Sequence, residues 1–186
     1  MVKQHIRNYL DDIFSLIKEF WNVNSSMQGT LIQLVEKIVI ALGGEFKIYL
    51  PKLIPNILQV FNHDDSHRRA VTEKLLNALQ QFGTSLEDYL HIILPPIVKL
   101  FDARDCSQKV REAALQTIES LSEHLEISEF ASRIIHPLIR VLESSPELRE
   151  TAMNTLCALV VQLDRKYQIF IPMIQKVLNH HQIYHQ

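Results

Sequence analysis

An aromatic residue returns along this sequence at intervals of about forty residues, and each one opens an apolar segment. The five aromatic positions are Tyr9, Tyr49, Tyr89, Phe130 and Phe170. A unit this short cannot bury its own apolar face, so neighbouring units must stack on one another. This period constrains the fold more strongly than any other feature of the sequence.

The apolar spacing predicts two helices in each unit. Apolar residues follow every aromatic at four and at eight positions, which places them near one face of a helix with about 3.6 residues per turn. The members of this stripe are Ile13, Ile17, Leu53, Ile57, Ile93, Ile97, Ile134, Leu138, Ile174 and Leu178. A second helical pattern follows each stripe, the first copy being Leu31, Val35, Ile38 and Leu42. Nothing in the sequence alternates long enough to predict a strand.

The predicted fold is all-α, a HEAT-repeat α-solenoid of about four and a half antiparallel helix pairs. The segment "LPPIVKLFDARDCSQKVREAALQTIESL" has a first helix with prolines, an acidic turn and a second helix with Val-Arg and small residues. That order resembles a HEAT repeat. We predict a single array over residues 1–186, with repeats near 5–43, 44–83, 85–125 and 128–164 and a partial repeat at 167–186.

Prolines recur inside the predicted first helices. Pro55 and Pro95 lie six positions after the aromatic of their repeat, and Pro96 and Pro137 lie seven positions after it. Because proline has no N–H and its ring clashes with the preceding turn, we expect each one to kink or restart its helix.

The boundaries of the second helices carry signals of their own. Gly43, Gly44 and Gly83 follow two of these helices, where we expect a left-handed residue to close the last turn. Ser145 and Pro146 precede another second helix and are typical of an N-cap followed by a first-turn proline.

Composition limits the classes of partner. The chain has 19 basic and 21 acidic residues among 186, a formal net charge of -2, so it offers no overall field for nucleic acid or an anionic membrane. No apolar run is long enough to insert into a membrane, and the N-terminal "MVKQHIRNYLDD" lacks the apolar run of a signal peptide. Two distant cysteines, Cys106 and Cys157, do not form a secreted disulfide framework, which favours a reducing compartment.

The sequence offers no catalytic, cofactor or metal site that we favour. It contains no GxGxxG, GxxxxGK[ST], GxSxG, HExxH or CxxC motif. His180, His181 and His185 leave a metal site open as an alternative, since His181 and His185 are spaced by one helical turn. We favour a polar helix end there, because no nearby cysteine or acidic residue completes the site.

A recurring set of charged residues predicts a structural ladder between the repeats. Its members are Asp65, Arg69, Asp105, Arg111 and Arg149, with acidic residues in the turns and arginines at the start of the second helices. We expect these charges to pair from one repeat to the next and to fix the stacking. The alternative, a basic stripe for nucleic acid, would need unpaired cations and stacking aromatics nearby.

Four longer stretches go beyond the general repeat pattern. They are "ALGGEFKIYLPKLIP", "EDYLHIILPPIVKLFDA", "ASRIIHPLIRVLESSPELRETAMNTL" and "KYQIFIPMIQKVL". In order and spacing they resemble the HEAT-repeat region of the target of rapamycin (TOR) serine/threonine kinases, which belong to the phosphatidylinositol 3-kinase-related kinases. The resemblance covers nearly the whole chain.

The resemblance implies a scaffold and protein-interaction segment of a kinase in nutrient and growth-factor signalling. ATP and magnesium would then belong to a distant kinase domain, because the chain has no Gly-rich ATP loop and no HRD or DFG motif. The implied partners are the subunits of a TOR kinase complex, a small GTPase regulator, and neighbouring HEAT repeats of the same chain. The implied location is the cytoplasm and the lysosomal or vacuolar membrane surface.

Two other functions remain as alternatives. The chain could be a HEAT adaptor of another family, such as a transport receptor or a phosphatase scaffold, or it could have an enzymatic activity of its own. If it is an internal piece of a longer array, its end helices should expose apolar surface, and we expect this at Ile6, Leu10, Ile171 and Ile174.

Overall fold

The structure, a computed structural model, describes residues 8–22, 26–64, 66–163 and 171–180. The chain divides into two compact units, Met1–Pro96 and Ile97–Gln186. Every regular element within the described ranges is a helix, which confirms the all-α class. None of the helices in those ranges is long and apolar enough to cross a membrane.

The helices alternate between the first and second helix of a repeat. In chain order they are α1 (Leu10–Phe20), α2 (Gln28–Leu42), α3 (Leu50–His63), α4 (Ala70–Phe82), α5 (Leu90–Lys99), α6 (Gln108–His124), α7 (Ala131–Ser144), α8 (Arg149–Gln162) and α9 (Ile171–His180). Short 3-10 helices lie between several of them, at Gly43–Ile48, His67–Arg69, Gly83–Tyr89, Ser128–Phe130 and Pro146–Leu148. The odd-numbered helices are the first helices and the even-numbered ones the second. The division of the chain into one array with the repeat boundaries given above stays a prediction.

The aromatic residues mark where the first helices begin. Helices α1, α3, α5 and α7 each start at the residue directly after Tyr9, Tyr49, Tyr89 and Phe130. Phe170 lies outside the described residues. Tyr9 is 62% exposed, so the aromatic position records the register of the repeat without always joining the core.

The apolar stripe that follows each aromatic is largely buried. Six of its members have no measurable exposure: Leu53, Ile57, Ile93, Ile97, Ile134 and Leu138. Ile17 is also buried, whereas Ile13, Ile174 and Leu178 are half-buried. Burying one such side chain stabilises the fold by about 1.5–3 kcal/mol, so the stripe is a principal source of stability.

Within each unit, helices pack on the equivalent helix of the neighbouring repeat and on the other helix of their own repeat. In the first unit α2 packs against α4, and α3 packs against both α1 and α4. In the second unit α6 packs against α8, and α7 packs against α8 and α9. The helices α2 and α4, like α6 and α8, come from successive repeats, so each repeat buries its apolar face on its neighbour as the period predicts.

An aromatic cluster fills the core of the first unit. The Phe14 ring stacks on the Tyr49 ring with centroids 4.8 Å apart, and it lies 6.0 Å from the Phe46 ring. Phe46 in turn contacts the edge of Phe82 at 5.1 Å. Phe46 belongs to the 3-10 helix between α2 and α3 and is fully buried, so this connection is part of the core.

The prolines lie inside the first helices, which run on through them. Pro55 is within α3, Pro95 and Pro96 are within α5, and Pro137 is within α7. None of these helices restarts at its proline. A bend at each of the four positions stays a prediction.

Two of the three glycines adopt the positive φ that was expected of them. Gly43 has φ 59° and ψ -130°, and Gly83 has φ 53° and ψ -132°. Because the two glycines have nearly the same φ and ψ, the chain reverses in the same way in these successive repeats. The expectation of a left-handed helical residue was nevertheless wrong in its ψ, because these values lie outside the left-handed helical region. Gly44 has no positive φ.

Helix α1 exposes apolar surface, but not at the residue that the sequence suggested. Leu10 is only 1% exposed, so the expectation for it was wrong. Exposure falls instead on the stripe Tyr9, Leu16 and Phe20, whose side chains are 62%, 53% and 48% exposed. Ile6 lies outside the described residues, as does the side chain of Ile171.

Replacing Gly83 by alanine tests the backbone requirement. We expect Gly83→Ala to lower the free energy of unfolding by about 1–3 kcal/mol, because a Cβ is strained at this φ. Gly44→Ala is the matched control: a Cβ there meets no atom within 4 Å and its φ is ordinary, so it should leave stability unchanged or slightly raised. Urea unfolding followed by circular dichroism measures both. Equal stability of the two variants would contradict the requirement for glycine at position 83.

Candidate functional site: polar contacts within and between repeats

The turn between α3 and α4 is organised by Asp64. Asp65, the residue proposed for the ladder, lies outside the described residues. The carboxylate of Asp64 accepts hydrogen bonds from the backbone N–H of Thr72 at 2.8 Å, the hydroxyl of Thr72 at 2.6 Å and the backbone N–H of Ser66 at 2.9 Å. The hydroxyl of Ser66 also donates to it. Asp64 thus ties the end of α3 to the first turn of α4.

Hydrogen bonding sets the charge state of Asp64. Burial alone would raise the pKa of this carboxyl, but the hydrogen bonds from Ser66 and Thr72 stabilise its ionised form more strongly, and the net pKa is lowered. The turn that it holds contains Arg68 and Arg69 at φ 53° and 55°, a backbone region that non-glycine residues seldom occupy. The ionised carboxylate therefore stabilises a strained turn.

The arginines proposed for the ladder contact helix-end carbonyls. Arg69 Nη1 donates to the carbonyl oxygen of Phe61 at 3.4 Å, in the last turn of α3. Arg149 Nε makes the equivalent bond to Leu142 at 2.8 Å, in the last turn of α7. The carbonyls at a helix C-terminus lack intrahelical partners, and a cation is favourable there. These arginines therefore join the second helix to the first helix of the same repeat.

Arg111 combines this contact with one to the next repeat. Its Nε donates to the carbonyl oxygen of Phe101 at 2.7 Å, just after α5, and its Nη2 donates to the Ser145 hydroxyl at 2.7 Å. Its Nη1 lies 3.9 Å from Glu147 Oε1. The side chain is only 17% exposed. Because Ser145 and Glu147 belong to the turn before α8, Arg111 links two successive repeats.

Ser145 therefore has a different role from the one expected. It does precede a helical turn that starts at Pro146, but its side chain makes no capping hydrogen bond. Its buried hydroxyl accepts from Arg111 instead. Asp105 is exposed in the turn before α6 and accepts from the Cys106 thiol, with Sγ and Oδ1 3.9 Å apart. Pairing of aspartates with arginines from repeat to repeat stays a prediction.

Other side chains form hydrogen bonds between successive repeats in the second unit. Thr155 Oγ1 on α8 donates to the carbonyl oxygen of Leu115 on α6 at 2.9 Å, forty residues away in the sequence. Gln162 Nε2 donates to the carbonyl oxygen of Ser122 at 2.6 Å, and its Oε1 accepts from the N–H of Ile127 at 2.6 Å. In the first unit Asn56 Nδ2 donates to the Trp21 carbonyl oxygen at 2.8 Å.

Ion pairs between exposed side chains of the described ranges also cross between repeats, and the sequence reasoning missed them. They join Lys52 to Asp11 at 3.5 Å, Lys47 to Asp88 at 3.4 Å and Arg140 to Asp102 at 3.4 Å. The partners in each pair are separated by about one repeat, so the same period could have found them. All six side chains are more than 40% exposed, which makes each pair a weak contributor to stability.

The described residues contain no group of three or more His, Cys, Asp or Glu side chains placed to hold a metal ion. His181 and His185, together with the side chain of His180, lie outside the described residues. Cys157 on α8 and Glu119 on α6 are both half-buried. Burial raises the pKa of both, with further increases from Glu119 at the thiol and from Glu123 at Glu119.

Comparison with known proteins places these repeats in a family. The family described as "Stalled ribosome sensor GCN1-like, HEAT repeats" matches residues 22–183. The chain belongs to this HEAT-repeat family. The match covers most of the helices that carry the contacts above.

Individual relatives give a more specific similarity. The chain is 56% identical over 182 residues to the serine/threonine-protein kinase mTor of Drosophila melanogaster, covering 98% of the chain and 7% of that kinase. It is 41% identical to the kinase tor1 of Schizosaccharomyces pombe and 36% to TOR2 of Saccharomyces cerevisiae, over the whole chain and 8% and 7% of those proteins. The resemblance to the HEAT-repeat region of TOR kinases is thus confirmed, for a chain that spans less than a tenth of these relatives.

Replacing Arg111 tests the link between repeats. We expect Arg111→Lys to lower the free energy of unfolding by about 2 kcal/mol, because lysine keeps the charge but cannot reach Phe101 and Ser145 together. Arg140→Lys, at a side chain that is 60% exposed, is the control and should change stability by less than about 0.5 kcal/mol. Urea unfolding measures stability, and hydrogen exchange should show faster opening of Pro146–Leu148 in Arg111→Lys alone. Equal effects of the two variants would argue against the link.

The lowered pKa of Asp64 predicts a pH dependence. A group whose pKa is lower in the folded state stabilises the fold above its unfolded pKa, near 3.8, and this stabilisation is lost as the pH falls through the folded pKa. Wild type should therefore melt higher than Asp64→Asn from neutral pH down to about pH 5, and the difference should shrink in more acidic solution. Thermal melts across this range measure it. A difference that stays constant into acid would rule out the ionised carboxylate as its cause.

Proposed function

We propose that this chain is a scaffold and protein-interaction segment of a TOR-like serine/threonine kinase in nutrient and growth-factor signalling. The observation that carries the proposal is the sequence similarity to TOR kinases along nearly the whole chain, combined with a described structure made of packed helix pairs. In this function the segment supports assembly of the kinase complex and positions a distant kinase domain. It performs no catalysis itself, and ATP and magnesium bind in the kinase domain.

The mechanism that we propose is geometric. Each repeat contacts its neighbours through buried apolar stripes and a few polar links such as Arg111 and Thr155. A small change at one such interface moves all the repeats beyond it, because successive repeats are connected in series. The partners that we propose for this surface are the subunits of the TOR kinase complex and a small GTPase regulator, in the cytoplasm and at lysosomal or vacuolar membranes.

Exposed apolar residues of the first unit support a role in protein contacts. Ile40 on α2 is 57% exposed and Ile48 in the following turn is 71% exposed. Side chains of this kind contribute to the desolvated centre of protein interfaces. A HEAT adaptor of another family remains the alternative. The relatives above, which match this chain along nearly its whole length, are however named as kinases.

The proposal is tested in the full-length parent kinase. We expect the double variant Ile40→Asp, Ile48→Asp to reduce co-purification of the complex subunits, while phosphorylation of a free peptide by the purified kinase stays unchanged. Gln33→Asp, at an exposed polar position on α2, is the control and should affect neither. Loss of peptide phosphorylation with the complex intact would contradict a scaffold role for this segment.

A second measurement addresses catalysis by the chain itself. The 186-residue chain incubated with ATP, magnesium and a protein substrate should transfer no phosphate, and ATP should not shift its melting temperature. A clear nucleotide-dependent shift would favour the enzymatic alternative.

A further inference from the structure

A groove of about 610 Å³ lies where α6 and α8 end in the second unit. Glu123, His124, Leu125 and Glu126 line one side of it, and Ala158 and Val161 line the other. The two sides come from successive repeats, so the groove is a product of the stacking. None of the lysines and arginines in the contacts described above lines this groove.

The α8 side of the groove is apolar and open to solvent. Val161 is 87% exposed, the highest value among the large apolar side chains that the structure describes, and the neighbouring Val160 is 40% exposed. Ala158 lies one turn before Val161 on the same helix. An apolar surface left open at the mouth of a groove is typical of a site that a partner covers.

The α6 side of the groove is electronegative. Glu123 and Glu126 are both exposed, and the C-terminal ends of α6 and α8 add the negative ends of two helix dipoles. None of the lining residues is a lysine or arginine. The raised pKa of Glu119, caused by burial and then by Glu123, is consistent with this negative field.

The groove is held in a fixed form by Gln162. Its amide nitrogen donates to the carbonyl oxygens of Ser122 and Leu125, and its amide oxygen accepts from the N–H of Ile127. These three bonds fasten the end of α8 to the last turn of α6 and to the chain that follows it. A preformed groove loses little conformational entropy when it binds, which favours affinity.

We propose that this groove binds a basic, amphipathic segment of a partner protein. Lysine or arginine side chains of the segment would lie near Glu123 and Glu126, while its apolar side chains cover Val161 and Ala158. Charge complementarity selects this occupant over an acidic or purely apolar segment. The inference deepens the proposed scaffold function by stating the chemistry of one partner, and it rests on that function.

The test uses the 186-residue chain and a fluorescent peptide of alternating lysine and leucine, with binding followed by fluorescence polarisation. Val161→Ser and Glu123→Lys should each weaken binding about tenfold, the size expected for one exposed apolar contact or one charge reversal. Leu16→Ser and Glu143→Lys make the same kinds of change at exposed positions outside the groove and should bind as wild type does. Melting temperatures establish that all four variants are folded.

Two further peptides separate the contributions. A peptide with glutamate in place of lysine, and one with serine in place of leucine, should both bind at least about tenfold more weakly than the lysine–leucine peptide. Equal binding of the serine peptide, or equal losses in the groove variants and their controls, would overturn the proposal.

Asp164, Arg165 and Lys166 follow the groove in the sequence and lie outside the described residues. If binding rises when Arg165 and Lys166 are changed to glutamine and the groove variants have no effect, the chain's own segment is the occupant and the proposal fails. Complex assembly in the parent kinase is unaffected by these outcomes, so the scaffold function is judged separately.

Discussion

The packing of equivalent helices about forty residues apart is the interaction on which the remaining structure depends. Helix α2 buries its apolar face on α4, and α6 buries its apolar face on α8, because neither face can be covered within its own repeat. The polar links follow from this stacking: Thr155 meets the carbonyl oxygen of Leu115 since α8 repeats the position of α6. Without the apolar contacts, groups so distant in sequence would not meet.

The arginines serve a purpose that arises from the same arrangement. Two helices joined by a short turn leave the last carbonyls of the first helix beside the first turn of the second. Arg69, Arg111 and Arg149 lie just before or within the first turn of the second helix, and they donate to carbonyl oxygens at or just beyond the end of the first helix. The contact thus fixes the angle within a repeat, and Arg111 extends it to the next repeat through Ser145. A residue type that recurs at one repeat position can therefore have a local role as well as an inter-repeat one.

The sequence allowed the helices and most of the core to be predicted, because periodic burial leaves a periodic record. Leu53, Ile93 and Ile134 were found in this way, and all three are fully buried. The sequence did not reveal Phe46, because it lies in a connecting turn outside both helical stripes. It also misassigned Ser145, since a serine before a proline signals an N-cap whether or not an arginine 34 residues earlier in the chain donates to its hydroxyl. Partners of polar groups depend on side-chain reach across repeats, and a local pattern does not encode that reach.

The groove between α6 and α8 shows how such an array acquires a surface that a single repeat lacks. Its acidic side belongs to one repeat and its apolar side to the next, so the recognition chemistry exists only after stacking. Gln162 both fastens the two repeats and forms part of the groove wall. A change in the packing of α6 on α8 would therefore alter the groove, and an occupant that bridges its two sides would in turn favour one packing. By this reciprocity, binding and repeat geometry are coupled without any catalytic residue.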